Sequence, residues 1–277
     1  MSNFRAFWRF FWQAETKYTI HSPFVYELLE QVIEDDREYY DFGALRRLRE
    51  LSEHNQKLLT VQDFGAGSRV HGQAQRTVAQ ITKSAVSPAW QGEFLFRLVH
   101  HFQAKRRLEI GTSLGISTLY QYLPLRNAPF YTLEGCPNIA AEAAQNFKKL
   151  KATNIHQLVG KFEETLPKAL ATLGTLDYVY MDGNHQKAPT LSYFEACLAH
   201  SHPHTVLVID DINWSAEMQA AWQTIKEHPQ VTLTVDLFFM GLVFLRTEQP
   251  QKQHFTLIPA AYKPWKMGFF APNPQKN

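Results

Sequence analysis

The chain has 277 residues, 45% of them hydrophobic and 19% charged, enough for one large domain with a sizeable core. The formal net charge of +2 and the lack of a Lys/Arg run interleaved with aromatics give no nucleic-acid signal. No apolar run reaches the length of a bilayer span, and two distant cysteines, Cys136 and Cys197, point to a reducing, cytoplasmic setting without a disulfide framework.

The first stretch, "MSNFRAFWRFFWQAETKY", is aromatic but broken by Arg5, Arg9 and Gln13, unlike a signal peptide. Phe7, Trp8, Phe11 and Trp12 suit either an interfacial helix or an arm. The basic residues are few, so the expectation is an arm packed on its own domain or on a partner subunit in a homodimer, without a membrane role. Residues 1–60 read as helical. In "SPFVYELLEQVIE", Ser22 is a cap, Pro23 opens the helix, and Val25, Leu28, Leu29, Val32 and Ile33 recur at helical spacing. "VQDFGAGSRV", residues 61–70, is a glycine loop expected to be followed by a polar helix and no second strand. "EFLFRLVHHF" is a short apolar helix.

From residue 107 strands and helices alternate. "RLEIG", "FYTLE", "NIHQLVG", "LDYVYMD", "TVLVIDD", "VTLTVDLF" and "GLVFLRT" are near-continuous apolar strands, the mark of a parallel sheet covered on both faces. The last two are too close for a helical crossover, so the final strand is antiparallel. The expected fold is α/β: a doubly wound, seven-stranded, mostly parallel sheet. Residues 1–86 form a helical cap, 87–247 the core and 248–277 a tail.

Of the two glycine loops, "LEIGTSLGIST" has the fuller context. A strand precedes it, a helix follows, and the next strand ends in Glu134, an acid suited to ribose hydroxyls. The second loop is read as a turn, one that folds over the site. Glu109 stands two residues before Gly111, at the mouth of the site. The spacing runs Gly111 to Gly115 with no third glycine and no Gly-Lys-Ser/Thr. A loop that opens on a carboxylate suits a cation better than a pyrophosphate, which disfavours a nicotinamide dinucleotide and points to S-adenosylmethionine. A plain strand–turn–helix is the bland alternative.

"LEIGTSLGIST" resembles the cofactor loop of the class I S-adenosylmethionine-dependent methyltransferases, most closely the catechol O-methyltransferase-like small-molecule O-methyltransferases. "SPAWQGEFLFRLVHHFQAKRRLEIG" resembles the helix those enzymes place before the first strand. The resemblance covers about residues 87 to 247. It implies that Glu109, Gly111, Ser113, Gly115 and Ser117 surround the methionine end of the cofactor, and that Glu134 takes the ribose. It further implies that Gly160, Phe162 and Glu163 of "VGKFEETL" form the adenine wall, and Asp182 is also counted among the cofactor-binding residues.

Beyond the cofactor, "YVYMDGNHQ" and "LVIDDINWS" put Asp182, His185, Asp210, Asp211 and Asn213 at the ends of adjacent strands. Three carboxylates suit Mg²⁺ or Ca²⁺, which would hold and acidify an acceptor hydroxyl. In the resembling enzymes the metal positions match Asp182, Asp210 and Asp211, the third being an amide there, and a lysine base stands where this chain has His185. Histidine suits a base near neutral pH, or a fourth ligand. A metal-free polar site and simple helix capping by Asp182 and Asp210 are the alternatives. Trp90, Trp214, Phe238 and Phe239 are candidates to stack on an acceptor or to pack in the core. "HSHPH", residues 200–204, reads as a solvated loop on the opposite end of the sheet from the acids. The expected function is methyl transfer from S-adenosylmethionine to a hydroxyl of a small molecule; a catalytically silent binding or scaffold domain is the alternative.

Overall fold

A computed structural model describes residues 2–62, 74–248 and 251–266. Its elements are α1 (Ser2–Gln13), α2 (Pro23–Leu28) running into a π-turn, α3 (Phe42–His54), β1 (Leu58–Val61), β2 (Ala74–Thr77), α4 (Val78–Ala85) and α5 (Ala89–Phe102). The alternating part follows: β3 (Arg107–Ile110), α6 (Ile116–Tyr122), β4 (Phe130–Glu134), α7 (Pro137–Lys149), β5 (Ile155–Val159), α8 (Phe162–Leu173), β6 (Leu176–Met181), α9 (Lys187–Leu198), β7 (Ser201–Asp210) and α10 (Ala216–Glu227). β8 (Leu233–Asp236), β9 (Met240–Phe244) and β10 (Gln253–Thr256) complete the chain of elements.

The main sheet runs β10-β8-β9-β7-β6-β3-β4-β5. β3 to β7 are parallel, and β9 is antiparallel to both β7 and β8. The seven expected strands are present. An eighth, β10, comes from the stretch assigned to the tail and pairs parallel with β8. Its alternation is too short and too polar, "QHFT", to stand out in the sequence. Helices α1, α2 and α3 fill the first stretch, expected to be helical to about residue 60, and β1 begins at Leu58. The expectation of no strand after the "DFGAGSR" loop is corrected, since β2 pairs antiparallel with β1 before α4 begins. The loop itself, residues 63–73, lies outside the described residues. "HSHPH" is no free loop: β7 starts inside it, and His202 Nε2 lies 2.9 Å from Asp177 Oδ1.

Both sheet faces are covered, as near-continuous apolar strands require. Leu108, Ile110, Val179, Met181, Leu207 and Ile209 pack under α8, α9 and α10. On the other face, Tyr178, Tyr180, Val206 and Val208 meet Val25 and Leu28 of α2 and Leu95 and Leu98 of α5. Ser22 caps α2 as expected, with the Val25 amide donating to its hydroxyl and Pro23 opening the helix. Among the described residues no helix is long and apolar enough to cross a membrane.

β3 departs from this apolar rule. Two of its residues, Arg107 and Glu109, point to the α6 side and are fully buried. Glu109 accepts from Ser117 and Thr118 in the first turn of α6, and Arg107 donates to the carbonyls of Gln121, Tyr122, Leu125 and Ala128 at its far end. The acid sits at the positive end of the helix and the base at the negative end. Replacing Arg107 with leucine leaves four carbonyl acceptors without their donor, two of them buried, so unfolding in urea should show a loss of about 3 kcal/mol. Lysine should not restore it, because one ammonium cannot reach four separated carbonyls.

Candidate functional site

The winding reverses between β3 and β6, which places a crevice at their carboxyl ends. The turn after β3 forms one wall. Gly111, at φ +106°, has no room for a side chain because the carbonyl oxygen of Asp182 stands against it. Gly115, at φ +74°, caps α6 against the Phe147 ring. Between them Ser113 takes a positive φ of 48°, and its buried hydroxyl has no hydrogen-bond partner within the protein. An orphaned donor-acceptor beside a glycine turn is a ready contact for a ligand.

Glu109 corrects the expectation that it stands at the mouth of the site. Its carboxylate is shut off from solvent and accepts from Ser117 Oγ (2.9 Å), Gln121 Nε2 (2.7 Å), Thr132 Oγ1 (2.7 Å) and Thr118. Four donors use up the lone-pair directions of a carboxylate. Glu109 therefore braces the turn from beneath, and Ser117 is drawn to it. Burial pushes its carboxyl up to about 7, against the pull of those donors.

Glu134, half-buried at the end of β4, holds the turn from the other side. Its two oxygens accept from the Ser113 amide (2.8 Å) and the Cys136 amide (2.9 Å), and burial raises its pKa. Gly160 follows β5 and donates its amide to the Glu134 carbonyl. Phe162 opens α8 and lies over Gly183, where an added methyl would come within 2.6 Å of its ring. Glu163 is exposed and accepts from the Tyr193 hydroxyl at 3.0 Å. These residues line up along the crevice from the β3 turn to the start of α8. Sequence reasoning missed Asn184, at φ +55°, whose buried Oδ1 has no hydrogen-bond partner and which follows Gly183 directly. Only its place beside Asp182 could have drawn notice.

The acids sit at the ends of β6 and β7. Tyr180 donates to Asp210 Oδ2 at 2.7 Å, and Asp182 and Asp210 are within hydrogen-bonding reach of each other. Burial, reinforced by Asp210 and Asp211, holds the Asp182 carboxyl well above the usual range. Burial and the charge of Asp211 push Asp210 up to about 7. The His185 ring bridges the cluster, with Nε2 3.7 Å from Asp182 Oδ1 and Nδ1 3.8 Å from Asp211 Oδ2. Asp182, Asp210 and Asp211 come together at one end of the sheet, around the His185 ring. Among the described residues no group of three His, Cys, Asp or Glu side chains is arranged to hold a metal ion. An imidazole between Asp182 and Asp211 already faces both carboxylates. Capping is removed as well: α10 is capped by Ser215, and α9 has no side-chain cap.

Asn213 Nδ2 donates to the Phe238 carbonyl, and the Asp211 amide to that of Phe239. Phe239 packs edge-on against Trp90 at 4.6 Å, while Phe238 meets Phe7 and Phe10 of α1 at 5.2 and 5.3 Å. Trp90 and Trp214 remain more than half exposed.

Residues 108–212 match the model of a methyltransferase domain family. A catechol O-methyltransferase of Niastella koreensis is 36% identical over 131 residues, covering 46% of this chain and 58% of that protein. A catechol O-methyltransferase of Mycobacterium tuberculosis is 30% identical over 177 residues, covering 58% of this chain and 77% of that one. The O-methyltransferase TomG of Streptomyces achromogenes, solved in complex with S-adenosylmethionine, shares the fold at a TM-score of 0.55 and 20% identity over 80% of this chain and 95% of its own. The chain belongs to the class I S-adenosylmethionine-dependent methyltransferases, in the catechol O-methyltransferase-like family of small-molecule O-methyltransferases.

The buried acids make stability depend on pH. Glu109 titrates near 7 in the fold against 4.5 for an ordinary glutamate, so the folded protein keeps a proton that the unfolded chain releases. Its contribution is complete below pH 4.5 and is lost as pH rises through 7, and Asp210 acts in the same direction. Urea melts across this range should show stability falling with rising pH, and Glu109→Gln should remove about one proton from the slope. An unchanged slope in that variant would assign the dependence to other groups.

Proposed function

We propose that the protein transfers the methyl group of S-adenosylmethionine to a hydroxyl of a small molecule, with His185 as the general base. The observation that carries the reading is the junction of the glycine turn after β3 with an acid–imidazole cluster at the neighbouring strand end, Gly111 packing directly on the Asp182 carbonyl. The two relatives aligned above are themselves named for methylating catechol.

When bound, S-adenosylmethionine supplies a methyl carbon on a positively charged sulfur. In this reading Glu134 turns one oxygen to the ribose hydroxyls, Ser113 and its neighbours line the methionine end, and Phe162 and Glu163 flank the adenine. His185 takes the proton from the acceptor hydroxyl. The oxygen then forms its bond to the methyl carbon as the carbon–sulfur bond breaks and its electron pair returns to sulfur. Asp182 and Asp211, on either side of the ring, orient the imidazole and stabilise its protonated form. Asp182 and Asp211 face the two ring nitrogens of His185 at 3.7 and 3.8 Å, so the base is held without a metal; Asp182, Asp210 and Asp211 are the residues that would hold Mg²⁺ or Ca²⁺.

Glu134→Ala should weaken cofactor binding by about 1.5–3 kcal/mol in calorimetry, the usual cost of hydrogen bonds to a charged group. His185→Ala should keep that affinity and lower turnover to S-adenosylhomocysteine by ~10²–10⁴-fold, measured against an acceptor found by screening hydroxylated metabolites. Binding without turnover across such a library would leave a silent binding domain.

Excess chelator should leave the rate in place. Loss of activity, restored by Mg²⁺, would instead assign the three carboxylates to a cation and take the base role from His185.

A further inference from the structure

α1 has one face against the protein and one face turned outward. Successive residues step about 100° round a helix, so Phe4, Trp8, Phe11 and Trp12 fall on one arc, bordered by Arg5 and Arg9. Phe10 lies on the opposite side, buried against Phe238. The outward arc keeps large apolar rings in water: Phe4 is 68% exposed, Trp8 40% and Trp12 67%. The rings touch in sequence, Phe4 on Trp8 at 5.9 Å and Trp8 stacked on Trp12 at 6.4 Å, and Trp265, 47% exposed, extends the ridge through Phe11. Contiguous exposed apolar surface of this kind marks an interaction site.

We propose that this ridge seats the protein on the surface of an anionic lipid bilayer. Tryptophan rings prefer the headgroup level, where an apolar body and a polar N–H are both satisfied. Arg5 and Arg9, both exposed on the flank of the ridge, complement a negative surface, and α1 contains no acid to oppose them. The same lack of acids disfavours a second copy of this chain, because a two-fold contact through α1 would offer those arginines no carboxylate from the facing helix. Twelve residues are too few to span a bilayer, so the helix lies in the interface. Two arginines are few for such a role by sequence alone; among the described residues Trp8 and Trp12 keep exposed faces, while Phe10 is buried and Phe7 meets Phe238 on the inner side.

The test is co-sedimentation of the full chain with vesicles of phosphatidylglycerol and phosphatidylcholine, and with phosphatidylcholine alone. The protein should bind the anionic vesicles, leave them as salt rises, and bind the neutral ones weakly. Reversing both arginines, Arg5→Glu with Arg9→Glu, should weaken binding by more than about thirtyfold, the loss expected from removing the two positive charges alone. Trp8→Ser with Trp12→Ser should weaken it about tenfold or more, while thermal melting and cofactor affinity hold in both variants. Failure to bind anionic vesicles at low salt overturns the proposal, as does full binding by the serine variant. A stable dimer by light scattering that only the serine variant dissolves would give the ridge to a second copy instead. None of these outcomes depends on methyl transfer, so this proposal and the enzymatic one fail separately.

Discussion

An ionisable carboxyl placed where no water reaches it costs several kcal/mol unless donors surround it. Glu109 is such a group, and its four donors come from β4 and from two turns of α6. The bonds fix the relative positions of β3, β4 and α6 around the turn after β3. That turn in turn sets Ser113, whose amide meets Glu134 and whose hydroxyl is left without a partner. Weakening the buried carboxylate would therefore loosen the far wall of the crevice before any residue facing a ligand was touched. Arg107 completes the arrangement at the other end of α6, so that a helix of seven residues is held at both ends by one strand.

Two carboxylates that look alike in the sequence have different duties. Glu109 is spent on protein donors. Glu134 engages two backbone amides, yet stays at the edge of solvent. At the ends of β6 and β7, the acids are arranged around an imidazole and a tyrosine. Crowding raises the cost of ionising them all, and a histidine between two of them lowers that cost by carrying positive charge when protonated.

The strands of the main sheet were legible because burial on both faces demands long apolar runs, and Gly111 and Gly115 marked the turn between β3 and α6. The elements that escaped, β2 with "AQRT" and β10 with "QHFT", are four-residue strands whose polar residues fall where one side meets solvent. Their identity depends on partners remote in the chain. The burial of Glu109 was hidden for a related reason: a sequence shows where a carboxylate stands on a strand, but not that a threonine 23 residues later will turn toward it. The spacing of Asp182, Asp210 and Asp211 likewise brought them to one end of the sheet without showing that the His185 ring would fall between two of them.

Residues near the start of the chain and residues near position 260 are knitted together. Glu15 exchanges backbone hydrogen bonds with Thr256 and Ile258, and the Lys263 ammonium donates to the carbonyl of Ala14. During synthesis on the ribosome, α1 emerges more than two hundred residues before these partners exist. At typical elongation rates of about 5–20 residues per second, its aromatic rings then wait in water for ten seconds or longer. The nascent chain thus passes through a long interval in which its most aromatic segment is made and the contacts that fix its place in the fold are not.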